Sequence, residues 1–527
     1  MSNLTGRMLS FLSIAMLTTV SAIADDPETP PAPVILVQAT ERISDQGTTP
    51  PAPVVTADDT ATTYDGGVQR AFVEESVSEP APAPAITPAP APVPTPALAP
   101  APAAEPIATV RIQETPSVEQ PASFYQLFDG MKQADNGRKD RWLDYSGWVD
   151  FGYTFAFNSP MSQSNLPIGF NDQADEFQMN QFYMILETPD RKRNKKGWAL
   201  DGRVDLLYGT DHFYTTARGL ETRLDGSPHW NSVDPTNVKR LNATGAAPYY
   251  GLAMPQAYVD LQTPISSGMK IRMGHFYSPL GHESVMAKEN FFYSHTYSRL
   301  YAKPFTHTGL LASTNIINDG MRISGGFTRG WDNFEDADND LSILGGFAFD
   351  LEGHSFSVNV HTGDDHRYVD DDGNPMAGNV TVTTAKYSRK LGERGTYILQ
   401  ADLGYGEGME THDTTGTLSE ARWYGITNYL IYDYGDKVSG GLRVEWFRDQ
   451  DNARVLGIAV DEEVNGGNYV GITGGVHVRP NDRWVLRSEL RWDWSDVTSD
   501  VFNVNGIFNG QTKRDQWTMT ADLIYSF

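Results

Sequence analysis

The sequence predicts an all-β chain: a transmembrane up-and-down antiparallel β-barrel of about 16 strands behind a disordered Pro/Ala-rich N-terminal segment. Three observations predict it. From Arg514 to Phe527 the residues alternate, with Trp517, Met519, Ala521, Leu523, Tyr525 and Phe527 on one side and Gln516, Thr518, Thr520, Asp522 and Ser526 on the other. Only Ile524 breaks the pattern. A period of two is a strand with one greasy and one wet face, and an aromatic final residue is how outer-membrane barrels close. Second, strand-like segments follow one another from Asp144 to the end, separated by connections that alternate long and short. Short turns at one end and long loops at the other are what an up-and-down membrane barrel requires. Third, after the first twenty-odd residues no apolar run is long enough for a spanning helix and the mean hydropathy is only −0.41, yet a barrel strand crosses with ~9–11 residues of which alternate ones are polar.

The elements follow in order. Arg7, the apolar stretch Met8 to Val20 and Ala22-Ile23-Ala24 read as an export signal over 1–24 with a small-x-small cleavage site. Residues 25–121 hold 20 of the 32 prolines. Such a segment buries too little apolar surface to offset its ordering entropy and favours extended polyproline conformations, so it reads as a periplasmic linker. A short pre-barrel segment, 122–143, includes a candidate helix at Phe124 to Met131. The barrel occupies 144–527, with strands at 144–157, 176–188, 198–210, 254–263, 268–278, 306–317, 321–330, 341–349, 354–362, 379–390, 395–405, 421–434, 437–447, 467–478, 483–494 and 514–527. Facing is ambiguous in 176–188, 306–317, 379–390 and 421–434. The short connections carry turn chemistry, as in Asn318-Asp319-Gly320, Gly435-Asp436, Gly392-Glu393-Arg394 and Pro480-Asn481-Asp482.

In lipid every backbone polar group must be paired within the protein, so a sheet spans only when closed. The charged residues that alternate with Trp, Leu and Val then face inward. An Arg or Lys turned toward lipid at mid-membrane would cost about 2–4 kcal/mol. At about sixteen strands a polar interior holds water or a plug. Candidate pore-lining residues are Arg203, Asp205, Lys270, Arg272, Arg322, Arg443, Glu445, Arg487, Glu489 and Arg491. The connection 279–305 is rich in aromatics (Phe291, Phe292, Tyr293, Tyr297, Tyr301) and is expected to fold into the mouth or lumen as a constriction. There His282, Glu283, Lys288 and Glu289 are its candidate site residues. Glu283 and Glu289 are expected to face Arg443 and Arg487 across an opening, setting up a transverse field.

Between Gly274 and Ser313 the chain resembles a family. Gly274-x-Phe276-Tyr277-x-Pro279-x-Gly281-x-Glu283, Asn290-Phe291-Phe292-Tyr293-Ser294 and Pro304-Phe305-Thr306-His307-Thr308-Gly309 are similar to the OmpL-like family of β-barrel porins. The resemblance implies an outer-membrane, porin-like barrel and brings no catalytic residues. The long Pro/Ala segment is not part of the shared pattern.

Other chemistry is set aside on the residues. His282-Glu283 is followed by Met286 where H-E-x-x-H needs histidine. Asp336, Asp338 and Asp340 are followed by Leu341 and Phe347 where a calcium loop needs glycine and an acid. They and Asp370 to Asp372 read as solvated external loops. With no cysteine and no G-x-S-x-G, neither a thiol nor an α/β-hydrolase-type nucleophile is assembled. No cofactor and no metal are expected. A net charge of −26 argues against nucleic acid.

The leading function is an outer-membrane porin that passes small hydrophilic solutes and ions, not an enzyme. The alternative is a structural envelope protein tethering the outer membrane to the cell wall through the Pro/Ala arm. A barrel-embedded lipase or protease is the third reading. Expected partners are outer-membrane lipid, the barrel-assembly machinery through Phe527, the cell wall in the tether reading, and further copies of the chain in a homotrimer.

Overall fold

The computed structural model describes residues 143–527 apart from 158–163, 190–196, 224–226, 232–239, 243–244, 248, 267, 318–319, 336–339, 365–377, 410–418, 452, 456–465, 498–505 and 509–512. The expected signal peptide, the linker, the pre-barrel segment up to residue 142, the Asn318-Asp319 turn and the acidic residues Asp336, Asp338 and Asp370 to Asp372 lie outside the described residues.

Sixteen strands close a barrel: β1 (Asp144–Ala156), β2 (Phe177–Glu187), β3 (Ala199–Gly209), β4 (Gly251–Gln262), β5 (Lys270–Tyr277), β6 (Thr306–Ile317), β7 (Met321–Thr328), β8 (Ser342–Leu351), β9 (His354–Asp364), β10 (Asn379–Leu391), β11 (Gly395–Met409), β12 (Ser419–Asp433), β13 (Val438–Asp449), β14 (Gly467–Asn481), β15 (Trp484–Ser495) and β16 (Asp515–Ser526). Each pairs antiparallel with its neighbour in sequence, and β16 returns to β1 with Val149 opposite Tyr525. The terminal Phe527 fastens this seam: Phe527 N donates to Gly147 O at 2.9 Å and Gly147 N to Phe527 O at 3.1 Å. Closure leaves no strand edge unpaired, the condition for a sheet in lipid. Among the described residues no helix is long and apolar enough to cross a membrane.

Every expected strand is present. The connection after β3 holds more than a bare loop: a 3-10 turn, Thr210–Thr215, and a small hairpin of Arg240–Asn242 with Gly245–Ala247. Three-residue strands are too short to carry a period.

The alternation sorts side chains as expected. Trp517, Met519 and Leu523 on β16 and Leu442 and Val444 on β13 are exposed on the outer face, while Gln516, Thr518, Thr520 and Asp522 are buried inside. Ile524 is on the inner face by register and packs with Trp148, Tyr183, Ile185, Leu207 and Val485 beneath the 279–305 loop. The apolar exception is therefore a contact for the loop.

The ambiguous strands have physical causes. A bulge where β2 meets Asp150 and Phe151 leaves Asn180 and Gln181, adjacent in sequence, both buried. A bulge re-aims one side chain in this way. On β10 and β12, Val380, Val382, Trp423, Tyr429 and Ile431 are buried on the inner face because loops cover them. On β6, His307 is buried inside while Leu310 and Ile316 are exposed outside.

Candidate functional site: the loop within the barrel

Residues 279–305 leave β5, enter the barrel interior and return to β6 through a helical turn, α1 (Tyr297–Tyr301). Thr296 caps that turn, its side chain accepting from Arg299 N at 3.0 Å. A loop of this length carries many backbone polar groups, which must be paired once water is excluded. The inner wall supplies the partners.

Three arginines hold the loop backbone: Arg443 and Arg491 stand in one register row, both opposite Thr473, and Arg487 lies two inward positions further toward the short turns. Arg443 on β13 donates to Ser294 O at 2.6 Å and to Ser294 Oγ at 2.8 Å. Arg487 on β15 donates through Nη1 to the carbonyls of Ala287, Asn290 and Phe292 at 2.8, 3.0 and 3.0 Å, and its other face is ion-paired with Asp522 on β16. Arg491 donates to His295 O at 2.6 Å and bridges Glu445 at 3.0 Å and Asp493 at 2.7 Å. Carboxylates take the loop N–H groups. Glu489 accepts from Tyr293 N and Ser294 N at 2.9 and 3.0 Å, and Glu445 from Tyr297 N at 2.7 Å. Arg443, Glu445, Glu489 and Arg491 are each no more than 3% exposed.

Glu283 is the loop's own counter-charge. Its carboxylate meets Arg443 Nη1 at 2.9 Å and accepts from Tyr429 Oη at 2.9 Å and Thr296 N at 2.9 Å. Burial pushes this carboxyl up, but Arg443, His295 and the Thr296 N–H together hold it well below the usual range. His282 is held down to about 3, chiefly by burial and further by Lys386. Lys303, on the loop's return leg, pairs with Asp402 of β11 at 2.8 Å.

Small wall residues make the room. A Cβ on Gly152 would overlap Tyr293 Oη, one on Gly425 would overlap Ser298 Oγ, and one on Gly441 would overlap the Phe291 ring.

The expected residues therefore divide. Arg443, Glu445, Arg487, Glu489 and Arg491 point inward as the alternation requires, but they meet the loop and not open water. The transverse field expected across an opening is replaced by contact: Glu283 touches Arg443, while Arg487 pairs with Asp522 and loop carbonyls and not with Glu289. Solvated charges can stand apart, whereas charges buried at this depth must be paired. Arg203 and Asp205 form an ion pair at 2.7 Å on β3, and Arg272 pairs with Asp260 at 2.8 Å. Lys270 is half exposed at 3.6 Å from the same Asp260, and Arg322 is exposed at the start of β7. Lys288 Nζ sits 4.6 Å from the Trp148 ring centroid, and Glu289 lies beside it, half-buried.

Sequence reasoning missed several partners. Gln181 donates to Val285 O at 2.7 Å, Trp423 Nε1 to Ala302 O at 2.9 Å, and Tyr293 Oη to Asn180 at 2.8 Å. The adjacent polar pair Asn180-Gln181 was the available signal, since two amides in succession break strict alternation.

The interior is uneven along its length. Toward the long-loop end, Leu344, Val382, Trp423, Phe447 and Tyr469 form one buried cluster with loop residues Leu280, Ala302 and Trp331. Toward the short turns, the inner residues of β6–β9 are small and partly exposed: Ser313, Asn315, Ser324, Ser357 and Asn359. Among the described residues no group of three or more His, Asp or Glu is placed to hold a metal.

Residues 143–527, the whole barrel, match the sequence model of a family described as "Putative beta-barrel porin-2, OmpL-like". The chain belongs to this family. It is thereby a porin-like barrel of the outer membrane. No curated protein matches the sequence. Among solved structures the chain is similar to an anion-selective porin from Comamonas acidovorans at 12% identity and a TM-score of 0.45, over 73% of this chain and 99% of that one. It is also similar to the outer membrane channel DcaP of Acinetobacter baumannii, at 10% identity and a TM-score of 0.44, over 73% and 97%. A third is OmpT, an outer membrane protein of Vibrio cholerae, at 9% identity and a TM-score of 0.43, over 73% and 97%.

Proposed function

We propose that the barrel is a passive channel for small hydrophilic solutes, with the 279–305 loop as its constriction and no catalytic role. The observation that carries this reading is the asymmetry of the inner wall. The β12–β16 side spends its charges on the loop, whereas the β6–β9 side presents Ser313, Asn315, Ser324 and Ser357 to solvent. Small hydroxyl and amide side chains leave space and offer exchangeable hydrogen bonds, which suits passage without tight binding. The route runs along that side.

Toward the long loops the cluster around Trp331 and Trp423 takes up part of the interior and narrows the route further. Purified protein in planar bilayers is expected to give stepwise conductance, and removal of 282–296 to raise it. A folded, heat-modifiable preparation that never conducts, with or without those residues, would remove the proposal.

A further inference from the structure

We propose that the enclosed space between β1 and the loop is a binding site for one sodium ion, held by the carboxylates of Asp150 and Asp211. The space measures about 10 Å³, and Asp150, Asp211, Asn290, Tyr293, His295 and Arg487 line it. A volume of that order takes one water-sized particle. Asp150 stands on the inner face of β1 and is 1% exposed, yet neither of its carboxylate oxygens accepts a hydrogen bond from the protein. A buried carboxylate without a donor is costly, so something in the space must meet it. The site does not depend on whether the barrel conducts.

The groups around Asp150 are engaged with other partners. Asp522 and Asp211 face it with charge of the same sign, and Arg487 is the cation beside it. Arg487 turns Nε and Nη2 to Asp522 and Nη1 to the carbonyls of Ala287, Asn290 and Phe292. Three carboxylates therefore share one guanidinium. Asp211, on the turn after β3, is met by the neutral amides of Asn180 at 3.0 Å and Gln181 at 2.8 Å. Tyr293 lies beside all three carboxylates. Its hydroxyl donates to Asn180 Oδ1 at 2.8 Å, which leaves the oxygen lone pairs for a cation. His295 Nδ1 is turned to Glu283 at 3.2 Å.

The donor set selects the occupant. Carboxylate and phenol oxygens are hard donors and suit hard cations. Only Asp150 and Asp211 among the acidic residues line the space, and among the described residues no group of three or more His, Asp or Glu is placed to hold a metal. A divalent ion therefore lacks its usual ligands, whereas a monovalent one fits. A proton shared by Asp150 and Asp522 would also offset the charge, but a proton needs no room, and here two carboxylates border a space. A water would give Asp150 a hydrogen bond and leave the excess of negative charge. The ion ties β1 and the turn after β3 to the loop residues Asn290, Tyr293 and His295, and so adds to the arginine contacts that seat the loop.

The test is tryptic cleavage of the 279–305 loop in the full chain, purified in detergent at pH 7, as NaCl replaces choline chloride at constant chloride. Choline is too large for the space. An ion that binds only while the loop is docked suppresses loop opening, by about tenfold at ten times its dissociation constant. Cleavage at Lys288 and Arg299 is therefore expected to slow about tenfold, and saturably, as sodium rises. D150N should remove the dependence, with heat-modifiable mobility establishing that the variant is folded. D211N supplies the same readout if D150N does not fold. Wild-type cleavage unmoved by sodium, or a dependence that persists in the folded variant, would overturn the site. Sodium-independent cleavage that D150N slows would overturn it in favour of a proton shared with Asp522.

Discussion

Arg443 and Glu283 meet inside the barrel at 2.9 Å, the guanidinium fully buried and the carboxylate 6% exposed. One belongs to the wall and the other to the loop, so this contact is one of the ties that seat the loop on the wall. Removing one partner of a buried pair leaves the other charge unmatched, at a cost of about 3–5 kcal/mol. Glu283→Gln and Arg443→Met are each expected to loosen the loop and raise mean conductance. The double variant should recover part of the stability lost by either single one, and a thermal-melt double-mutant cycle showing no coupling would refute the assignment.

The Phe291 ring lies against the bare backbone of Gly441. Gly441→Val is expected to expel the ring and shift the loop, while Gly474→Val, with open space around its added Cβ, should be neutral. Protease access to the loop reads the difference. Equal resistance in both variants would show that the loop is not seated on this wall.

Acid should release the loop. His282, at about 3, stays neutral in place but takes up a proton once freed, so its contribution declines as pH falls from its ordinary value of 6.5 toward 3. Glu283 is depressed, so its contribution is present above its ordinary value of 4.5 and is lost as pH drops further. Both act in one direction. Cleavage near Lys288 or Arg299 should increase between pH 7 and 4, and His282→Asn should flatten the upper part of that change. Tighter docking in acid would contradict this sign.

Glu221, in the connection after β3, has the opposite sign. Burial raises its carboxyl to about 7, against the N–H groups of Ala217 and Met254 that it accepts at 2.9 and 2.8 Å. Its contribution is full below 4.5 and fades as pH rises through about 7. Hydrogen exchange at those two amides, corrected for intrinsic rate, should accelerate across that window. Glu221→Gln should remove the pH dependence.

Ile524 sits among Trp148, Tyr183 and Val485 under the loop. Ile524→Asn places an amide there without an evident partner and should cost about 2–4 kcal/mol. Leu523→Asn, on the exposed outer face, exchanges a lipid contact instead. Melting in detergent micelles, where the outer face is less demanding, should separate the two.

The sequence by itself determined the closed all-β architecture, the strand positions and the inward direction of the charged residues. Period-two patterning is local, and lipid outside with polar groups inside forces one register on each strand. Arg443, Glu445, Arg487, Glu489 and Arg491 were legible as inward for that reason. Only the tertiary structure decided what they face. Glu283 and Arg443 are 160 positions apart, and nothing periodic links them. The loop backbone had to be paired somewhere once water was excluded, and the nearest wall charges, the Asn180-Gln181 bulge and the Ile524 cluster supplied the pairing. Asp150 of β1 and Asp211 of the turn after β3 line one space beneath the loop, a juxtaposition that single-strand patterns do not encode.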